Sequence, residues 1–159
     1  MHEKTVKGIL SPKNGMNIYR GCTHGCIYCD SRSTCYQINH PFEDVEVKIN
    51  AAELLENALR RKRKKCMIGT GAMSDPYLPE EKKRGLTRRC LELIDECGFG
   101  LSILTKSDLI LRDLDLLKSI NRKTKCVVQI TLTTHDEALC SILEPNVCTT
   151  KRRVEVLKI

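Results

Sequence analysis

Apolar positions along this chain alternate between two spacings. Cys66-Met67-Ile68-Gly69 and Leu101-Ser102-Ile103-Leu104 are short apolar runs that predict buried strands. Residues 125–132 (Lys125 to Leu132) predict another, and Met16-Asn17-Ile18-Tyr19-Arg20 a short first one. Between them the spacing widens to three and four. Leu54, Leu55, Ala58 and Leu59 predict a helix over 51–63, with Asn50 as N-cap and Glu53 completing a capping box. Pro79-Glu80-Glu81 opens a second helix whose stripe is Leu86, Cys90, Leu93, Ile94 and Cys97, and Gly98 ends it. Ser107 caps a third through about Ile120, with Leu109, Leu114, Leu117 and Ile120 turned to the core. Residues 137–142 and 150–159 also read as helical. Val45-Glu46-Val47-Lys48-Ile49 alternates apolar with charged and predicts a half-exposed extended piece. Residues 1–15 are polar, with turn signals at Ser11-Pro12 and Asn14-Gly15, and form an N-terminal lead-in to a core over 16–159.

Strands alternating with helices at this rhythm predict an α/β fold with a parallel sheet, each crossover helix covering it. Ligands in such folds gather beyond the carboxyl ends of the strands. Four segments fall there: the loop after the first strand, Gly69-Thr70-Gly71-Ala72 after the second, Thr105-Lys106 after the third, and Thr131 and Thr133 around the end of the fourth.

The first of those loops carries the sharpest chemical signal. Gly21-Cys22-Thr23-His24-Gly25-Cys26-Ile27-Tyr28-Cys29 places three cysteines at C-x3-C-x2-C spacing. Soft thiolates at that spacing can hold three irons of a [4Fe-4S] cube and leave the fourth iron open. The competing reading is zinc, with His24 or Cys35 as fourth ligand, although no second C-x2-C pair follows. Under that reading the chain is a non-catalytic, zinc-stabilised binding protein. A disulfide framework fits less well, because ten cysteines without a secretory signal point to a reducing cytosol. Cys66, Cys90, Cys97, Cys126 and Cys140 lie within the strand and helix patterns and read as core packing.

Composition narrows the alternatives. The 159 residues, 41% hydrophobic and 30% charged, suit one globular domain. No apolar run approaches the roughly 18 residues that span a bilayer, so no membrane partner is expected. Arg60-Arg61-Lys62-Arg63-Lys64-Lys65 is the sharpest part of a net charge of +7. A nucleic-acid patch is one reading. With 4% aromatics and none interleaved for stacking, a solvated helix end complementing the helix dipole is the simpler one.

The cysteine spacing, with the aromatic Tyr28 before the third cysteine, resembles the signature of the radical SAM superfamily. The stretches Asn17-Ile18-Tyr19-Arg20 and Cys29-Asp30-Ser31-Arg32-Ser33 make it similar to the subgroup related to spore photoproduct lyase. The resemblance implies a partial (β/α) barrel of six units, of which this chain supplies about four, as a C-terminally truncated core would. It implies a [4Fe-4S] cluster on Cys22, Cys26 and Cys29, and S-adenosylmethionine on the open iron. Cleavage of that cofactor by one electron gives a 5′-deoxyadenosyl radical that abstracts hydrogen from a substrate. The electron donor would be a flavodoxin or ferredoxin; the substrate is unknown, a DNA photoproduct being the one the lyase uses.

By the same resemblance Tyr28 lies near the adenine, and Gly69 and Gly71 stand where a glycine-rich stretch touches the methionine part. The common Gly-Gly-Glu form is missing there. Ser74-Asp75-Pro76-Tyr77 is similar to a Thr-Asp-Pro-Tyr element of the subgroup, and its plainer reading is a turn into a helix. Lys106 would pair with the cofactor carboxylate or ribose, and Thr131 and Thr133 would offer hydroxyls to the ribose. Threonine is also simply a good strand former. His24 and His135 read as bystanders, His24 on an exposed loop. No catalytic hydrogen donor is identifiable. A four-unit core is expected to assemble a cluster, hold S-adenosylmethionine weakly, and associate through its exposed fourth strand.

Overall fold

The computed structural model describes residues 1–159. Seven strands form two sheets: β1 (His2–Lys4), β2 (Gly15–Met16), β3 (Tyr19–Arg20), β4 (Glu46–Lys48), β5 (Met67–Thr70), β6 (Gly100–Thr105) and β7 (Cys126–Ile130). One sheet is parallel throughout, in the order β2-β5-β6-β7. The other is a small mixed sheet, β1-β4-β3. Helices α1 (Ala51–Arg61), α3 (Leu86–Glu96) and α4 (Leu114–Lys123) pack side by side, with α3 and α4 against β6. Their apolar stripes and the sheet enclose a core that includes Leu55, Leu59, Ile68, Leu91, Ile94, Leu101 and Ile103. This is the α/β class with parallel strands. Helices α5 (Glu137–Leu143) and α6 (Thr150–Leu157) follow β7. No helix is long and apolar enough to cross a membrane.

Several predicted elements divide or shift. The expected strand over 16–20 is two: Gly15–Met16 joins the parallel sheet, while Tyr19–Arg20 pairs antiparallel with β4. The backbone crosses between sheets at Asn17-Ile18, where the Lys48 amide still finds the Ile18 carbonyl at 3.1 Å. The single helix expected from Pro79 to Gly98 is broken by Gly85, which turns left-handed at φ +63° between α2 (Glu81–Arg84) and α3. Ser107 does accept from the Leu109 amide, yet the first six residues after it are a 3₁₀ segment that passes into α4.

The polar lead-in is not merely a lead-in. His2, Glu3 and Lys4 pair in parallel with Glu46, Val47 and Lys48, a strand that short charged residues do not announce. β4 thus becomes a central strand, and Glu46 is buried where alternation predicted half-exposure. Asn50 makes no cap; its amide brackets Val6, accepting from that residue's N–H at 3.0 Å and donating to its carbonyl at 2.8 Å. Cys90 and Cys140 are buried as expected, while Cys66, Cys97 and Cys126 only lean on the core. In the basic run, Lys62 bonds Asn14, and Lys65 bonds the Cys97 carbonyl and covers the Phe99 ring.

Candidate active site at the strand carboxyl ends

A single cavity gathers the cysteine loop and the three strand ends. Cys22, Cys26, Tyr28 and Cys29 line one side; Gly71 to Asp75 follow β5, Leu104 to Lys106 end β6, and Thr131 follows β7. The parallel topology explains the convergence, since every strand delivers its carboxyl end to the same edge. Of the residues singled out from sequence, Cys22, Cys26, Cys29, Tyr28, Gly71, Ser74, Lys106 and Thr131 line this cavity. Gly69 does not, being paired with Gly15 and Ser102 inside the sheet. Thr133 lies just behind, where its hydroxyl meets the Tyr28 hydroxyl at 2.9 Å.

The cysteine loop is strapped down by backbone contacts from distant segments. The Cys22 amide donates to the Phe42 carbonyl at 2.9 Å, and Ser74 Oγ donates to the Gly21 carbonyl. Ile27 N–H donates to Leu143, and the Asn146 side chain donates to Thr23 at 2.9 Å. The sharp entry requires Gly21, at φ +93°, where a Cβ would stand 2.4 Å from the Phe42 carbonyl oxygen.

Asp75 organises the far side. Its Oδ1 accepts from Thr105 Oγ1 at 2.7 Å and from the Tyr77 amide at 2.8 Å; Oδ2 accepts from the Lys106 amide at 2.8 Å. His24 Nδ1 lies 3.6 Å from the same Oδ2. The exposed loop position expected for His24 is therefore corrected: the ring is buried beneath Asp75 and the segment around Asn146. Burial holds its pKa below the ordinary value, against the pull of Asp75.

A second buried cluster lies under Tyr28. Glu144 accepts from the Tyr28 hydroxyl and, at 2.7 Å, from Thr133. Arg153 Nη1 is 2.8 Å from Glu144 and donates to the Thr131 carbonyl, also at 2.8 Å. Both members of that ion pair are buried, and Lys106 Nζ lies 3.9 Å from the same carboxylate. Burial pushes the Glu144 carboxyl up, but bonds from Tyr28, Thr133 and Arg153 outweigh it and leave the pKa below its usual value. The same burial and the bond to Glu144 raise the Tyr28 phenol. Glu144 and Arg153 escape sequence reading, because nothing local marks two charges that meet a loop more than a hundred residues away.

The donor set suits a cluster. All three cysteines are free, and burial pushes the Cys22 thiol up to about 11 and raises Cys26 as well. Such thiols lose their protons when a soft metal takes them.

The chain belongs to the radical SAM superfamily, whose family model matches residues 16–159. Members of that superfamily use a [4Fe-4S] cluster and S-adenosylmethionine. The chain is 37% identical over 152 residues to an uncharacterized protein of Methanocaldococcus jannaschii, covering 94% of this chain and 56% of that one. An uncharacterized protein of Mycobacterium tuberculosis is 33% identical over 150 residues, covering 89% and 44%. One from the Acidianus two-tailed virus is 29% identical over 159 residues, covering 94% and 52%. The chain thus spans about half the length of the curated relatives it matches. No solved structure matches it.

Proposed function

We propose that this chain is the cluster- and cofactor-binding core of a radical SAM enzyme. Its substrate is a compound that gives up a hydrogen atom from carbon, and its lineage lies near spore photoproduct lyase. The observation that carries this is the shared cavity, in which three free cysteines face the carboxyl ends of β5, β6 and β7. When bound, the cluster and S-adenosylmethionine supply a one-electron cleavage that yields a 5′-deoxyadenosyl radical for hydrogen abstraction.

The residues of the chain bind and orient. Cys22, Cys26 and Cys29 each offer one sulfur from a loop held at both ends. Gly71 lets the end of β5 close on Leu104, and Ala72 beside it is a small residue lining the cavity. Lys106 extends toward Tyr28, its Nζ 5.8 Å from the ring centroid, and offers a cation to an acidic group in the cavity. Tyr28 is half-exposed, with its hydroxyl anchored on Glu144, and presents a fixed ring edge and backbone to a planar base. Thr131 adds a further polar position at the end of β7. A flavodoxin- or ferredoxin-type electron donor and a reducing cytosol belong to this reading, and the ten free cysteines fit the second of these. Action on a DNA lesion rests on the lyase resemblance alone.

Anaerobic reconstitution with iron and sulfide tests the reading. The expected product is a brown protein with four irons per chain that forms 5′-deoxyadenosine from S-adenosylmethionine under a strong reductant. Cys22→Ala, Cys26→Ala and Cys29→Ala are each expected to abolish both. A colourless protein holding one zinc on these cysteines would sink it.

A further inference from the structure

On the side of the small mixed sheet, a second group of ligand-type side chains comes together. His2 on β1, His40 in the loop before β4, and Glu46 on β4 place one ligand atom each within 4.8 Å of one another. The two imidazoles meet edge to face, with centroids 4.9 Å apart.

Each ring is already oriented through its other nitrogen. His2 Nδ1 meets Asp44 Oδ2 at 2.9 Å, and His40 Nδ1 meets the Pro41 carbonyl at 3.0 Å. A metal-bound histidine is held in this way, its remote N–H given to a carboxylate or a backbone carbonyl so that the other nitrogen is free for the ion. His40 Nε2 is that free nitrogen, and it is buried with no hydrogen-bond partner. A buried polar atom left unpaired is costly, so the arrangement is complete only with something on that nitrogen. Glu46 is buried too, with Oε2 bonded to Lys4 Nζ at 2.9 Å. The Lys4 side chain is half-exposed and free to swing to water once another cation arrives.

We propose that His2, His40 and Glu46 form a divalent metal site of the zinc class, separate from the cysteine loop, with Asp44 as its positioning residue. Two imidazoles and a carboxylate suit zinc, with a water in the remaining place. Zinc bonds near 2.1 Å hold ligand atoms roughly 3.4 Å apart, so the group needs to close by little more than about 1 Å. The ion ties β1 to β4 and to the loop whose Phe42 carbonyl holds the Cys22 amide. Its role is to fix the seat of the cysteine loop from behind. Arg20, paired with Glu46 across the sheet, leads directly into Gly21 and Cys22.

The test uses the untagged chain with its cysteines occupied by the reconstituted cluster, stripped of loose divalent ions and dialysed against zinc. One zinc per chain is expected, with a rise in the thermal unfolding midpoint that follows zinc concentration. His40→Gln and the more exposed His2→Gln are expected to lose that zinc and the midpoint shift while keeping four irons. Asp44→Asn is expected to weaken zinc about 10–100-fold without removing it. Should His40→Gln fail to fold, His2→Gln and Asp44→Asn carry the test. A parent chain that takes up no zinc, or zinc retained unchanged by both His2→Gln and Asp44→Asn, overturns the proposal.

Discussion

A methyl group on Gly71 would sit 1.9 Å from the carbonyl oxygen of Leu104, and the residue is at φ +96°. Both facts put the end of β5 hard against the end of β6, and no other residue fits there. Gly71→Ala is therefore expected to lose at least about 1–3 kcal/mol from backbone strain alone, read by chemical denaturation of the cluster-free chain. The Glu144–Arg153 pair makes a different demand. Arg153→Met leaves a buried carboxylate without its charge partner, and the expected loss is about 3–5 kcal/mol. Replacing both, as Glu144→Leu with Arg153→Met, is expected to recover much of that stability. A thermodynamic cycle over the two changes checks it, and additive losses would mean that the pair is not coupled. Of the residues lining the cavity, the three cysteines, Tyr28, Gly71, Ser74, Lys106 and Thr131 were readable from the chain as candidates. Thiols needed in one short loop must be neighbours in sequence. Asp75, His24 and Glu144 owe their roles to partners brought from 30 to more than a hundred residues away.

At the level of elements, periodicity located the helices α1, α3 and α4 and the three longer parallel strands, since each buries one stripe or one run against a common sheet. It misjudged pieces whose partners are remote. β1 is three polar residues made a strand by pairing with β4, and Gly85 splits what looked like one helix because its left-handed turn redirects the chain into α3. β7 pairs with β6 on one side only, and Val128 on it is exposed. An open parallel edge is a template for another strand. Val128→Lys is expected to reduce concentration-dependent self-association, measured by sedimentation velocity well below the unfolding midpoint of each chain. Equal association by parent and variant would show that this edge is not the contact.

In the whole molecule, the β/α rhythm was enough to call for a parallel sheet with a site at its carboxyl edge. Burying alternating strands and amphipathic helices leaves few other arrangements. The C-x3-C-x2-C loop was likewise enough to call for soft-metal chemistry, because ligand type and spacing are local properties. Tertiary structure alone decided the rest. It folded α5, α6 and the loop between them back over the cysteine loop, setting Glu144 and Arg153 beneath Tyr28. It also buried His24 against Asp75 and brought His2, His40 and Glu46 to one point. Those placements depend on which distant surfaces meet, and a hydrophobic pattern specifies that a face is buried without naming what buries it.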